Sequence, residues 1–200
     1  MTRRARVAPA ERARLADAGA LHSLSGHRYR ARWDSAGAEV PLPVLADATL
    51  HEPAVELREP SVREDVLTDY ATLGLSLTAH PLALVRGELS RRRVSPALVT
   101  KDAANRGRNL RCAGLVTVRQ HPSTAKGIVF LTIEDETGQV NVVIWQNLVE
   151  KQHRVLLEST VIAVDGKLEA ADGVFHLIAT RLHDYSALLP ELTFSSRDFH

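Results

Sequence analysis

Cations and flat rings gather in one part of this 200-residue chain. Arg106, Arg108 and Arg111 precede or open a strand-like run, while Arg119, His121 and Lys126 lie in or beside the turn that ends it. Phe130 falls within the next strand-like run, and Trp145 closes a third. Cations attract phosphates and ring faces stack on bases, so this set suits contact with a single nucleic-acid strand. Each member also has a plainer reading. In an alternating strand Phe130 fits the core as well as a platform, Trp145 fits a strand-end anchor, and Lys126 beside Gly127 fits a solvated loop.

Residues that make or break bonds are harder to find. Template-directed nucleotidyl transfer needs clustered carboxylates that hold two metal ions, and the chain has no Asp-x-Asp. Its densest acidic run, Glu134-Asp135-Glu136, falls at a hairpin turn, where solvated charge is the ordinary explanation. Of nine histidines, neither the pair His22 and His27 nor the pair His176 and His183 has a convincing third ligand nearby. There is no phosphate-binding glycine loop, dinucleotide fingerprint, nucleophile elbow or Ser-His-Asp context. The single cysteine, Cys112, excludes an internal disulfide and fits a small apolar strand residue.

The elements that must position these residues follow from patterning. An apolar fraction of 44% supports a real core, and a formal net charge of +1 means that any basic surface must come from local clustering. Strands are expected near 110–118, 127–134, 139–144, 161–168 and 174–181, with a helix over 146–157 between the third and fourth. Asp135-Glu136-Thr137-Gly138 and Ala170-Ala171-Asp172-Gly173 supply hairpin turns. Five strands with a helix after the third is the layout of the OB-fold, which binds single strands across its second and third strands.

Upstream, residues 8–24 read as two short helices joined at Gly19, a helix-hairpin-helix shape. Such a turn can present amides to a phosphate or simply cap two packed helices. Tyr29 and Trp33 share one helix face, where anchoring to a core competes with stacking on a base. Prolines dominate 34–60, a loop-rich connector, and Ser61 with Glu64 forms a capping box for a helix carrying Val66, Leu67, Tyr70, Leu73 and Leu77. A further helix over 82–95 ends at Arg91-Arg92-Arg93, a charge run that suits a solvated helix end. The fold class is therefore α+β, a small N-terminal helical region with a helix-hairpin-helix remnant followed by a five-stranded OB-fold barrel. The expected divisions are 1–95, a linker at 96–109, the barrel at 110–185 and a tail at 186–200. No run of about 18 apolar residues is present, so neither a membrane span nor a signal peptide is expected, and a cytoplasmic location is the default.

The barrel string closely resembles a known family. Gly114-Leu-Val-Thr-Val-Arg119-Gln-His-Pro122, Ala125-Lys126-Gly127 and Phe130-Leu-Thr-Ile-Glu-Asp-Glu-Thr-Gly138 resemble the C-terminal OB-fold of error-prone C-family DNA polymerases. These are the damage-tolerance relatives of the bacterial replicative polymerase alpha subunit. Ser196-Arg197-Asp198-Phe199-His200 resembles the end of that family, and Leu15–Arg28 and Asp69–Leu82 resemble its upstream segments. His121 with Ser123 departs from the more basic, glycine-containing loop expected there.

The resemblance implies a fragment of a parent that carries out DNA-templated nucleotidyl transfer in translesion synthesis and damage-induced mutagenesis. No position here matches the parent's catalytic carboxylates, so the chain is expected to be inactive alone. It is expected to need no cofactor of its own, with Mg2+ serving the parent polymerase. Implied partners are single-stranded and primer-template DNA, an inactive Y-family-like polymerase protein and a RecA-like accessory protein. The sliding clamp is implied only indirectly, and no membrane partner is expected.

Overall fold

The computed structural model describes residues 7–37, 55–122, 127–171, 173–192, 194 and 196–199. The chain divides into two compact units, Met1–Thr78 and Ala79–His200.

In the first unit, α1 (Pro9–Asp17), α2 (His22–Ser25), α3 (Arg28–Ala36) and α4 (Val62–Leu73) are short helices whose ends are fixed by their own sequence. Pro9 opens α1, where a missing N–H costs nothing. Ser61 and Glu64 form the expected capping box on α4, which stops at Gly74. At the hairpin between α1 and α2, the amides of Ala18, Gly19 and Ala20 donate to helix carbonyls of Arg14, Ala16 and Leu15. They act as a helix cap, which leaves them unavailable to a phosphate. Arg28 pins the unit together. Its guanidinium is 9% exposed, donates to the Asp17 carbonyl and contacts Asp65 at 3.1 Å and Asp69 at 2.5 Å. Of the apolar stripe expected on α4, Val66 is buried, whereas Leu73 is exposed and Leu77, beyond the helix, is 95% exposed. Trp33 is 52% exposed and so is not buried in a core, while Arg58 lies over the Tyr29 ring at 5.2 Å. Most of the proline-rich connector lies outside the described residues.

The second unit is built around a closed barrel. Its strands are β1 (Asn109–Gln120), β2 (Val129–Asp135), β3 (Gly138–Ile144), β4 (Val161–Ala171) and β5 (Val174–Asp184). They are ordered β2-β3-β5-β4-β1, and β1 pairs with β2 to close the ring. β1 serves two sheets. Asn109–Leu115 pair with β4, Leu115–Gln120 pair with β2, and the register shifts between Val116 and Val118. Alternation sends Val116, Leu131, Ile133, Val142, Ile144 and Leu177 into the interior. Two close approaches require glycine. A Cβ at Gly114 would sit 2.6 Å from the Glu134 amide nitrogen, and one at Gly166 would sit 2.5 Å from the Ile178 carbonyl oxygen.

The helical stretch between β3 and β4 is broken into α6 (Gln146–Lys151) and α7 (His153–Glu158). The break is at Gln152, whose side-chain amide donates to the Leu182 carbonyl and accepts from the Leu182 amide, both at 2.8 Å. Residues 82–95 also differ from one continuous helix. Pro81–Val85 is 3-10 helical and α5 spans only Arg86–Arg91. Arg92 lies over the Tyr185 ring at 5.0 Å. A short strand β6 (Arg197–Phe199), not foreseen in the sequence, runs parallel to Val118–Gln120 of β1.

Residues 79–109 group with the barrel, where sequence reading set a helical region to residue 95 and a linker after it. The reason lies in Asp135, which is fully buried. It accepts from the Ala97 amide at 2.9 Å, from the Thr137 amide and hydroxyl at 2.7 Å, and pairs with Arg86 at 2.8 Å. Glu136 completes the grip on Arg86. Two of the three acids in the run, Asp135 and Glu136, are therefore not solvated hairpin charge. They fasten the β2–β3 turn to the segment that precedes the barrel.

Candidate nucleic-acid interface

The outer face of β2 and β3 carries two rings. β2 turns Phe130, Thr132 and Glu134 outward, and β3 does the same with Gln139, Asn141 and Val143. Phe130 pairs with Val143 and is 37% exposed, so it faces outward rather than into the core. Trp145 follows β3 directly, caps the N-terminus of α6 and is 51% exposed. Among the described residues this outward row contains no cation. Glu134 is its one charge, and it accepts a hydrogen bond from Gln139 at 2.8 Å.

The predicted cations lie elsewhere. Arg111 stands on the β4-paired half of β1 and grips Asp165 through two hydrogen bonds of 2.5 and 2.8 Å. That contact, joined by His183 at 2.8 Å, holds the Asp165 carboxyl down at about 2. Arg108 is exposed and donates to Asn105 at 2.8 Å, and Arg106 is exposed at the end of the preceding turn. Arg119 is not a phosphate ligand in this arrangement. It donates to the Leu156 carbonyl at 2.7 Å, to the Ser159 carbonyl at 2.6 Å and to Ser196, and burial lowers its pKa. Its work is to tie the end of α7 and the tail to β1. His121 is exposed just past β1, at an apolar cleft also lined by Val129, Val149, Leu156 and Leu157. Lys126 lies outside the described residues. Of the predicted residues, Phe130 and Trp145 lie with β2 and β3, Arg111 lies on the β4-paired half of β1 with Arg106 and Arg108 just before it, Arg119 is structural, and His121 lies at the cleft.

Sequence reasoning missed the outward neighbours Thr132 and Asn141, which are paired in register beside the rings. Strict alternation from Phe130 and from Trp145 was the available signal. Among the described residues, no group of three or more His, Cys, Asp or Glu side chains is placed to hold a metal ion. None of the described helices is long and apolar enough to cross a membrane.

A family model described as an OB-fold nucleic acid binding domain, tRNA_anti-codon, matches residues 110–185. The error-prone DNA polymerase of Pseudomonas paraeruginosa PA7 is 51% identical over 189 residues, 93% of this chain and 18% of that protein. That of Pseudomonas aeruginosa PAO1 is 49% identical over 199 residues, 99% of this chain and 19% of that protein. The chain is a homologue of a segment of error-prone DNA polymerases. It spans under a fifth of the length of these curated relatives. Among solved structures, asparaginyl-tRNA synthetase from Pyrococcus horikoshii aligns at a TM-score of 0.36 and 24% identity, covering 41% of this chain and 20% of that one. That score is too low to bear on function. The OB-fold itself rests on the strand order and on the family match.

Proposed function

We propose that this chain is the template-holding part of an error-prone DNA polymerase that acts in damage-induced translesion synthesis. Single-stranded DNA lies across the outer face of β2 and β3, and bases stack on Phe130 and Trp145. The observation that carries this reading is the outward placement of both rings on the strand-binding face of an OB-fold. The parent's Mg2+-dependent chemistry, its action on primer-template DNA, and its partnership with a Y-family-like polymerase protein, a RecA-like protein and indirectly the clamp belong to the same proposal. So does a cytoplasmic location.

Fluorescence anisotropy with a labelled single-stranded oligonucleotide at two salt concentrations tests it. Each true base stack is worth about 1–3 kcal/mol, so Phe130→Ala and Trp145→Ala, each checked for native circular dichroism, should weaken binding by roughly 5- to 150-fold. A folded protein that binds nothing at low salt overturns the reading. That result favours a second one, a module that docks protein partners, which draws support from the lack of a described cation in the β2–β3 row.

A further inference from the structure

The outer face of the other sheet carries an array that the ring face lacks. Register places Arg111 beside Asp165 and Asp165 beside Arg181. The Arg181 side chain is exposed and makes no hydrogen bond or ion pair among the described residues. Two residues along β4, Lys167 is exposed, and its contact with Glu169 is a loose surface pair at 3.4 Å. Asp165 is already matched by Arg111 and His183. His183 stands beside Tyr185, with ring centroids 6.2 Å apart, and Arg92 covers the Tyr185 ring. Arg92 is paired with Glu88 at 2.9 Å and Arg111 with Asp165, so the uncompensated positive charge of this face lies at Arg181, with the loosely paired Lys167 two residues along the neighbouring strand.

A path joins this array to the rings. Phe130 pairs with Val143, Val143 with Ile178, and Ile178 with Lys167. All four side chains belong to the outward set of their strands. Three strand spacings of ~4.8 Å separate Phe130 from Lys167, about 14 Å in all. An apolar saddle made by Val143 and Ile178 lies between them.

We propose that the exposed outer face of β4 and β5 around Lys167 and Arg181 is a second nucleic-acid contact surface. It takes the phosphate backbone of a single strand that leaves the Phe130–Trp145 platform, crosses the β3–β5 seam and passes over Lys167 and Arg181. This rests on the ring-face reading above and extends it with phosphate contacts that are independent of base sequence. Arg181 and Lys167 are the direct contacts. Arg111 is a positioning residue that neutralises Asp165.

Oligothymidylates of about four and about sixteen nucleotides, the range of site sizes for one such barrel, separate the two surfaces. The full chain and an Arg181→Gln/Lys167→Gln variant are titrated with both lengths across a salt series, and circular dichroism confirms folding. The wild type should gain affinity with length. The variant should lose that gain, and its slope of log K against log salt should be shallower by about 0.7 for each cation removed. Its affinity for the short strand should stay within about twofold, because that strand meets only the rings. A variant that keeps both the gain with length and the full salt slope overturns the second surface, leaves the ring-face reading standing, and turns the array over to an acidic protein partner. A wild type that binds neither length at low salt overturns both.

Discussion

Asp165 and Cys112 show how placement sets the chemistry of a single residue. Arg111 and then His183 hold the Asp165 carboxyl at about 2, below its ordinary 3.8. A carboxyl depressed by folding adds stability above its unfolded value and loses that contribution as pH falls through its folded value. The stability gap between the wild type and Asp165→Asn should therefore be full at neutral pH, shrink between about 4 and 2, and vanish below that. Urea unfolding at stepped pH measures it, and a gap that does not change across this window contradicts the assignment. Cys112 is fully buried, and burial pushes its thiol up to about 12. It should resist thiol reagents in the native protein and react fully only in denaturant, which a colorimetric thiol assay reads directly. The burial of Cys112 was legible from its neighbours in an apolar strand. The role of Arg119 was not. A cation beside a turn looks the same in sequence whether it awaits a phosphate or is spent on the carbonyls of Leu156 and Ser159, which come from nearly forty residues downstream.

At the scale of elements, the strands were legible because alternation is local. β2 and β3 follow it residue by residue, and the turn at Asp135–Gly138 lies where the sequence put it. The helices were less so. Gln152 splits the helical stretch because its side chain finds the backbone of Leu182, a long-range bond that no local pattern announces. The double duty of β1 depends on Gly114, where β2 crosses at contact distance. Gly114→Ala should cost at least the roughly 1–3 kcal/mol of an overpacked core, because the atoms in the way are backbone and cannot rotate aside. Thermal unfolding reads this, and an unchanged midpoint would show that β1 can shift to make room.

At the scale of the whole molecule, the barrel's residues do not mark the end of its folding unit. Asp135 is buried and takes partners from Arg86 and Ala97. A fragment of residues 79–200 should unfold cooperatively, whereas residues 110–185 alone should be on the order of 3–5 kcal/mol less stable, because a buried carboxylate loses its cation. Denaturant unfolding of the two fragments decides this, and equal stabilities would mean that the grip contributes nothing. Sequence reading drew the boundary at the first strand because periodicity begins there, and nothing local marks an acid that will be buried. The same grip has a consequence for proteolysis. The basic run Arg91–Arg93 invites trypsin-like cleavage, yet Asp135 holds Arg86 on one side of that run and Ala97 on the other. A chain nicked there should migrate as two bands in denaturing gels and as one particle in native buffer, the cut ends still clasped by a single side chain.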